Sequence, residues 1–186
     1  MEKFRLLKES EIECRVSRCN QYGANILLYK NARTDMDILD EALGIENWVT
    51  DYKEIKGNLF CGIGIREKAD QPFIWKWDCG IESRQDGEGN EKKGEASDAF
   101  KRAGFKVGIG RELYTAPDIF IPAEKLNMKA SDFTDARGRK QQKFATYDTF
   151  MVEKIAYDEN RRIRAIAIRN EKTGKRCYVW QSDSEK

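Results

Sequence analysis

The sequence predicts an α+β protein: an antiparallel three-stranded β-meander packed on a basic α-helix, with an additional C-terminal β-hairpin or meander. Three observations carry this prediction. Segments 48–55, 59–66 and 73–83 alternate as strands do, small apolar residues recur at helical spacing along 93–107, and strand-like segments return after residue 143. At 186 residues the chain is long enough for a domain with a substantial core.

The elements ahead of the meander are expected to be a helix, a strand and a second helix. Ser10 is a candidate cap for a helix that runs to about Asn20, and the apolar run 24–30 has the length of a strand. Residues 34–37 resemble a capping box, which predicts the start of the second helix. Gly44 is placed to end that helix.

The connections between the three central strands are short, so an antiparallel order is the natural one. Residues 56–58 form a turn signal, and the glycine-rich polar segment 84–90 is expected to be a mobile loop. Ala96, Ala99 and Ala103 give the following helix a small apolar face that can lie close to a sheet. Glycines at 108 and 110 end it.

The last third of the chain changes character. Residues 114–122 resemble a connection punctuated by prolines, and 129–143 resemble a charged, exposed linker. Three further strands are expected at 144–156, 163–169 and 177–180. We therefore expect a core at 1–128, a linker at 129–143 and a small β extension at 144–186. The extension fits either a separate small sheet or a continuation of the first.

Composition limits the chemistry more than it limits the partners. The chain has 34 basic and 32 acidic residues, so its net charge of +2 requires any nucleic-acid site to come from local clustering. It has no histidine, which removes the commonest general base and metal ligand. Hydrolases of familiar type are therefore disfavoured, whereas chemistry based on carboxylates or lysine is not.

The five cysteines are odd in number and lack a paired CxxC spacing. Cys14 and Cys19 could form half of a zinc site, but no second half is evident, so helix packing is the favoured role. No metal or cofactor is expected. The start of the chain has no apolar signal region and no run is long enough to cross a membrane, so we expect a soluble, intracellular protein in a reducing compartment.

Four short motifs occur in a telling order: LYKNAR at 28–33, LGIENW at 43–48, WDCG at 77–80 and EASDAFKRA at 95–103. Together they resemble the Rad-fifty-two family of single-strand annealing proteins, including phage members of the Sak type. The resemblance covers about two-thirds of the chain, residues 7–126. It offers no counterpart for the strands after residue 144.

The resemblance implies an ATP-independent protein that binds and anneals single-stranded DNA in homologous recombination and double-strand break repair, encoded by a phage or prophage. No enzyme activity is implied, and the chain has no P-loop motif. The implied partners are single-stranded DNA, further copies of the chain in a ring or helical arc, and a single-strand-binding protein or exonuclease, in the cytoplasm of a bacterial host.

By the same resemblance, Arg33, Lys101 and Arg102 are the first candidates for contacts to the DNA backbone. Lys106 lies four residues after Arg102 and extends the same side of the helix. The alternative is that these cations are solvated helix charges paired with Glu95 and Asp98. Asp98 is also expected to orient Lys101 or Arg102, or to cap locally.

Further candidates have weaker support. A second, outer basic patch is expected from Lys92, Lys93, Arg66 and Lys76, although a plain surface role is slightly favoured. Tyr29, Trp75 and Trp77 are candidates for stacking on bases, with the core favoured for the two tryptophans. Asp35 and Asp37 are better explained by helix capping and the helix dipole than by Mg²⁺ binding.

Two other functions fit parts of the same pattern. A three-stranded sheet followed by a basic helix also describes a double-stranded-RNA-binding module. A nuclease that depends on carboxylates is a less favoured alternative. Preference for duplex RNA, or cleavage of DNA with Mg²⁺ or Mn²⁺, would distinguish these functions from annealing.

Overall fold

The computed structural model describes residues 3–81 and 91–182, without the side chains of residues 91–93. It is a mixed α+β structure with two helices and mostly antiparallel strands in three sheets. The chain forms two compact units. The first contains the residues up to 7 together with 30–111, and the second contains 8–29 together with the residues from 112 onward.

The first unit holds both helices and one antiparallel sheet. Its elements are α1 (Ala32–Leu43), β3 (Trp48–Ile55), β4 (Asn58–Ile65), β5 (Ile74–Cys79) and α2 (Glu91–Val107). The sheet has the order β3-β4-β5, which confirms the predicted meander. Lys56 and Gly57 both have positive φ values, 53° and 76°, and this backbone twist suits a tight hairpin turn.

The two faces of this sheet differ in what covers them. Asp78 of β5 pairs across the sheet with Cys61, and its carboxylate contacts cations of α2, so the Cys61 face is the face toward α2. Cys61 and Ile63 are fully buried there. The alternate residues of β4, including Gly62 and Gly64, point to the opposite face.

Helix α1 begins one turn earlier than the sequence suggested. The side chain of Asn31 accepts a hydrogen bond of 2.9 Å from the backbone N–H of Thr34, so Asn31 is the cap and the predicted capping box at 34–37 is wrong. Gly44 ends the helix as expected, with φ of 77° and its N–H donating to the Asp40 carbonyl.

The second unit is built from strands. Its elements are β1 (Ile12–Asn20), β2 (Gly23–Lys30, of which Lys30 belongs to the first unit), β6 (Ile119–Pro122), β7 (Met128–Thr134), β8 (Lys140–Thr146), β9 (Phe150–Tyr157), β10 (Ile163–Asn170) and β11 (Arg176–Gln181). Six of these strands form one sheet in the order β11-β10-β9-β1-β2-β6, while β7 and β8 pair as a separate hairpin. The predicted C-terminal meander is present as β9, β10 and β11, inside the larger sheet.

The predicted first helix is wrong. Only Glu9–Glu11 form a short 3₁₀ turn, and the segment after it is strand β1, which lies between β9 and β2. Ile12 and Val16 are four residues apart, which fits the periods of both a helix and a strand. Pairing on both edges of β1 decides in favour of the strand.

Three further expectations are corrected. The segment 129–143 is not a linker but the core of the β7–β8 hairpin, although most of it is exposed. The segment 114–122 contains β6, which pairs with β2. The single strand expected at 144–156 is interrupted at 147–149, between β8 and β9. The predicted mobile loop at 84–90 lies outside the described residues.

Within the described ranges, no helix combines the length and the apolar character needed to cross a membrane.

Candidate nucleic-acid interface

Arg102 and Lys106 lie one turn apart on α2 and share one carboxylate. Asp78 of β5 has its Oδ1 atom 3.5 Å from Arg102 Nη2 and its Oδ2 atom 3.7 Å from Lys106 Nζ. The side chains of the two cations are 38% and 51% exposed, respectively. Two cations against one carboxylate leave an excess of positive charge at the surface, and the sequence had not identified Asp78 as its counterion.

Lys101 lies on the same helix but is held differently. Its Nζ atom is 4.0 Å from Asp98 Oδ1, a loose contact. The other oxygen of Asp98 accepts a hydrogen bond from the N–H of Ile81, and Glu95 accepts one from the N–H of Leu59. The two acids that could have neutralised the helix are therefore engaged with the backbone of the meander and the residue that follows it.

A buried ion pair links α1 to α2. Lys30 Nζ pairs with the Asp35 carboxylate in the first turn of α1 and donates a 3.1 Å hydrogen bond to the Lys101 carbonyl on α2. The ammonium also lies 4.2 Å from the centre of the Phe105 ring. Gly104 makes room for the pair, since a Cβ there would lie 3.0 Å from Lys30 Nζ.

This pair corrects the role assigned to Asp35, because the side chain is fully buried against Lys30 and does not cap the helix. Lys30 was overlooked because a lysine at the end of an apolar strand is usually solvated. The close glycines at 104 and 110 were the available signal. Asp37 is exposed in the second turn of α1, so the capping role expected for it is also wrong.

Arg33 is exposed in the first turn of α1, two residues before Asp35. Its guanidinium forms no hydrogen bond or ion pair with the described side chains and backbone of residues 3–81 and 94–182. Asp35 is thus fixed in the protein interior, while the guanidinium of Arg33 lies at the surface of the same helical turn. The Lys30 linkage thus holds the turn that carries Arg33 against the stretch of α2 that carries Lys101 and Arg102.

Three rings form a continuous line on the face of the meander that points away from α2; we call Phe73, Trp75 and Trp77 the aromatic row. The ring centres of Phe73 and Trp75 are 6.3 Å apart, and those of Trp75 and Trp77 are 5.6 Å apart with planes inclined by 25°. Each indole lies over a glycine of β4, Trp77 over Gly62 and Trp75 over Gly64. Neither tryptophan is a fully buried core residue.

Arg66 holds the loop beside this row. Its guanidinium donates to the carbonyls of Glu46 and Ala69 at 2.8 and 2.9 Å, and it lies 4.6 Å from the centre of the Phe73 ring. Lys76 is exposed on β5 and alternates with the tryptophans, so it shares the opposite face with Asp78. Arg66 and Lys76 are therefore not brought together, while the side chains of Lys92 and Lys93 lie outside the described part of the chain.

Tyr29 belongs to the second unit, on β2, where the Arg15 guanidinium lies 5.1 Å from the centre of its ring. Cys14 and Cys19 are on strand β1, which corrects their expected role in helix packing. Burial raises the pKa of the Cys14 thiol to about 12, so this thiol stays protonated at neutral pH. All five cysteines are free, and no group of three or more metal-binding side chains occurs within the described ranges.

Comparison with known proteins finds no family model, no curated protein and no solved structure that matches the chain.

Proposed function

We propose that this chain is an ATP-independent protein that binds and anneals single-stranded DNA, with the first unit as its DNA-binding part: a meander packed on the basic helix α2. One observation carries the proposal. The buried Lys30 ammonium fastens the first turn of α1 to the Lys101 carbonyl, so that Arg33 and the cations of α2 stand on two elements fixed to each other.

The chemistry required of these cations is neutralisation of phosphate. Arg33, Arg102 and Lys106 carry exposed or half-exposed side chains on helical backbone, whereas the Lys101 side chain is 17% exposed. Their carboxylate contacts within the described residues are 3.5 Å or longer. Phosphate oxygens offer a stronger partner than the 3.5 and 3.7 Å contacts that Asp78 makes. Binding then releases counterions, and the affinity falls as salt rises.

Annealing places a second demand on the site. The base edges have to stay available to a complementary strand, so the contacts have to go mainly to phosphates and sugars and carry little sequence preference. No bond is made or broken, and neither ATP nor a metal ion is needed. Cations on two helices that are fastened to each other through Lys30 meet this demand.

A single copy offers few cations for holding an extended strand. We therefore propose that several copies assemble into a ring or helical arc, so that the cations of neighbouring copies form one track. Homologous recombination and double-strand break repair in a phage or prophage setting are the processes that use such an activity.

The proposal is tested by measuring the affinity for fluorescent oligo-dT across a salt series, together with annealing of complementary oligonucleotides without ATP. Arg33→Gln and Lys101→Gln should each weaken binding and reduce the steepness of the salt dependence by about 0.7 per lost phosphate contact. Lys172→Gln, an exposed lysine in a turn of the second unit, is the matched control and should change neither quantity.

Three outcomes would overturn the proposal. Tighter binding to duplex RNA than to oligo-dT would favour an RNA-binding module, and cleavage of labelled DNA with Mg²⁺ or Mn²⁺ would favour a nuclease. Normal binding and annealing by both Arg33→Gln and Lys101→Gln would show that these cations do not contact the DNA. Negative-stain imaging with and without oligonucleotide tests the assembly, which a persistent monomer would contradict.

A further inference from the structure

The rings of the aromatic row lie on the surface of the sheet and are not packed inside a core. Trp75 and Trp77 follow one another along β5, Phe73 immediately precedes that strand, and Trp75 leaves 37% of its surface exposed. The residue pairs across the sheet explain why the rings can lie low over the middle strand. Gly62 stands beneath Trp77 and Gly64 beneath Trp75, and neither position carries a side chain that would lift the ring.

Cations stand at both ends of the row. Lys53 Nζ lies over the Trp77 ring, 4.3 Å from its centre, and the Arg66 guanidinium lies over the Phe73 ring at the other end, 4.6 Å from its centre. Asp51 of β3 is on the same face, 3.4 Å from Lys53 through its carboxylate. The row therefore combines π-surfaces with a cation at each end, of which Lys53 is partly neutralised by Asp51, and this suits a ligand that carries both flat rings and negative charge.

We propose that the aromatic row is a stacking platform for the unpaired bases of single-stranded nucleic acid. The inference rests on the proposed single-strand binding and adds to it a contact that depends on bases, separate from the phosphate contacts of Arg33 and α2. The ring centres are 5.6 Å apart for Trp75 and Trp77 and 6.3 Å apart for Phe73 and Trp75. Both distances exceed the rise of about 3.4 Å between neighbouring stacked bases. The rings are therefore spaced for successive bases of an extended strand. Trp75 offers an exposed ring, and a base stacks on Trp77 or Phe73 when Lys53 or Arg66 moves from over the ring toward a phosphate.

The experiment compares two oligonucleotides of equal length, oligo-dT and an abasic strand with the same number of phosphates. Wild-type protein should bind oligo-dT more tightly than the abasic strand. Trp75→Leu and Trp77→Leu keep an apolar cover over the glycines but lose the π-face. Each should weaken oligo-dT binding by about five-fold or more and leave binding to the abasic strand unchanged.

Two control variants separate stacking from general damage. Trp75→Phe retains an aromatic face and should recover most of the oligo-dT affinity. Ile74→Ala alters an exposed residue on the opposite face of the same strand and should change neither affinity. Urea unfolding of every variant reports its stability. Should the leucine variants not fold, quenching of wild-type tryptophan fluorescence by oligo-dT but not by the abasic strand supplies the same test.

The outcomes distinguish this inference from the function on which it rests. Equal binding of both oligonucleotides, with no effect of the leucine variants or no difference in quenching, overturns the stacking platform and leaves phosphate-based annealing intact. Failure of both oligonucleotides to bind overturns the two proposals together. Loss of self-association in the leucine variants, with unchanged oligo-dT affinity, would make the row an interface between copies and overturn the inference.

Discussion

Lys30 and Asp35 form an ion pair that is closed to solvent, since their side chains are 1% and 0% exposed. Removing two charges from water is costly, and their attraction offsets that cost only while both partners are present. The second hydrogen bond from the Lys30 ammonium, to the Lys101 carbonyl, and its contact with the Phe105 ring satisfy more of its bonding capacity. The pair therefore fixes the position of α1 on α2, but it also makes the stability of the first unit sensitive to substitution of either residue.

Removing one member of this pair should destabilise the first unit strongly. We expect Lys30→Met or Asp35→Asn to lower the free energy of unfolding by about 3–5 kcal/mol, because each leaves a buried charge without its counterion. Urea unfolding followed by tryptophan fluorescence measures this change. Lys53→Met breaks the exposed contact with Asp51 and should cost no more than about 1 kcal/mol. Similar losses in the buried and exposed pairs would contradict the assignment.

Removing the shared carboxylate should strengthen DNA binding. Asp78→Asn deletes the negative charge that Arg102 and Lys106 now contact at 3.5 and 3.7 Å, so both cations become available to phosphate. We expect the affinity for oligo-dT to rise several-fold at low salt and the salt dependence to steepen. Asp135→Asn, in the β7–β8 turn of the second unit, is the control. Weaker binding by Asp78→Asn would show that the carboxylate positions the cations instead of masking them.

Adding a methyl group beneath a tryptophan should disrupt the meander. A Cβ at position 62 would lie 2.6 Å from the Trp77 indole, which is too close for a real contact. Gly62→Ala is therefore expected to cost about 1–3 kcal/mol of stability, as overpacking does. In a Trp77→Ala background the same glycine change should cost much less, and this difference is the interaction energy of a double-mutant cycle. Additive effects would mean that the indole does not rest on the glycine.

Acid should weaken the second unit through Glu153. Hydrogen bonds from Arg176 and then Arg169 hold the pKa of Glu153 at about 2, below its ordinary value of 4.5. A depressed pKa in the folded state means that this stabilisation is complete above about pH 4.5 and is lost as the pH falls toward 2. Unfolding midpoints measured by circular dichroism should therefore fall over this range, and Glu153→Gln should flatten the decline. Glu159→Gln, an exposed turn residue, should retain it.

The sequence was most informative where one local pattern had one physical solution. The alternating segments between 48 and 79 are joined by two short connections, so an antiparallel meander was the natural arrangement, and strand β3 has the bounds that were predicted. Gly44 likewise ends α1, because the backbone there has a φ of 77°, which glycine adopts more readily than other residues. These features depend on neighbours a few residues away.

The errors arose where distant partners decided. Residues 12–20 fit a helix by spacing, yet β9, more than a hundred residues later, pairs with them and makes them a strand. The hairpin at 128–146 is rich in charge and lacks a buried face, so its pattern resembled a linker. In the site, Arg102 and Lys106 were identified from the sequence, but Asp78 and Lys30 were not. Their ionic partners lie on other elements and come close only in the folded protein, so residue spacing does not reveal them.

The order of elements along the chain has a consequence for synthesis. Strands β1 and β2 are synthesised before the stretch 30–111, whereas β6 and β9, their neighbours in the six-stranded sheet, are synthesised only after it. That stretch holds every strand of its own sheet and can close first. Until β6 and β9 are synthesised, β1 lacks its partner β9 and β2 lacks its partner β6, so each has an unpaired edge. A nascent chain halted near residue 111 would expose these edges to chaperones or to other chains.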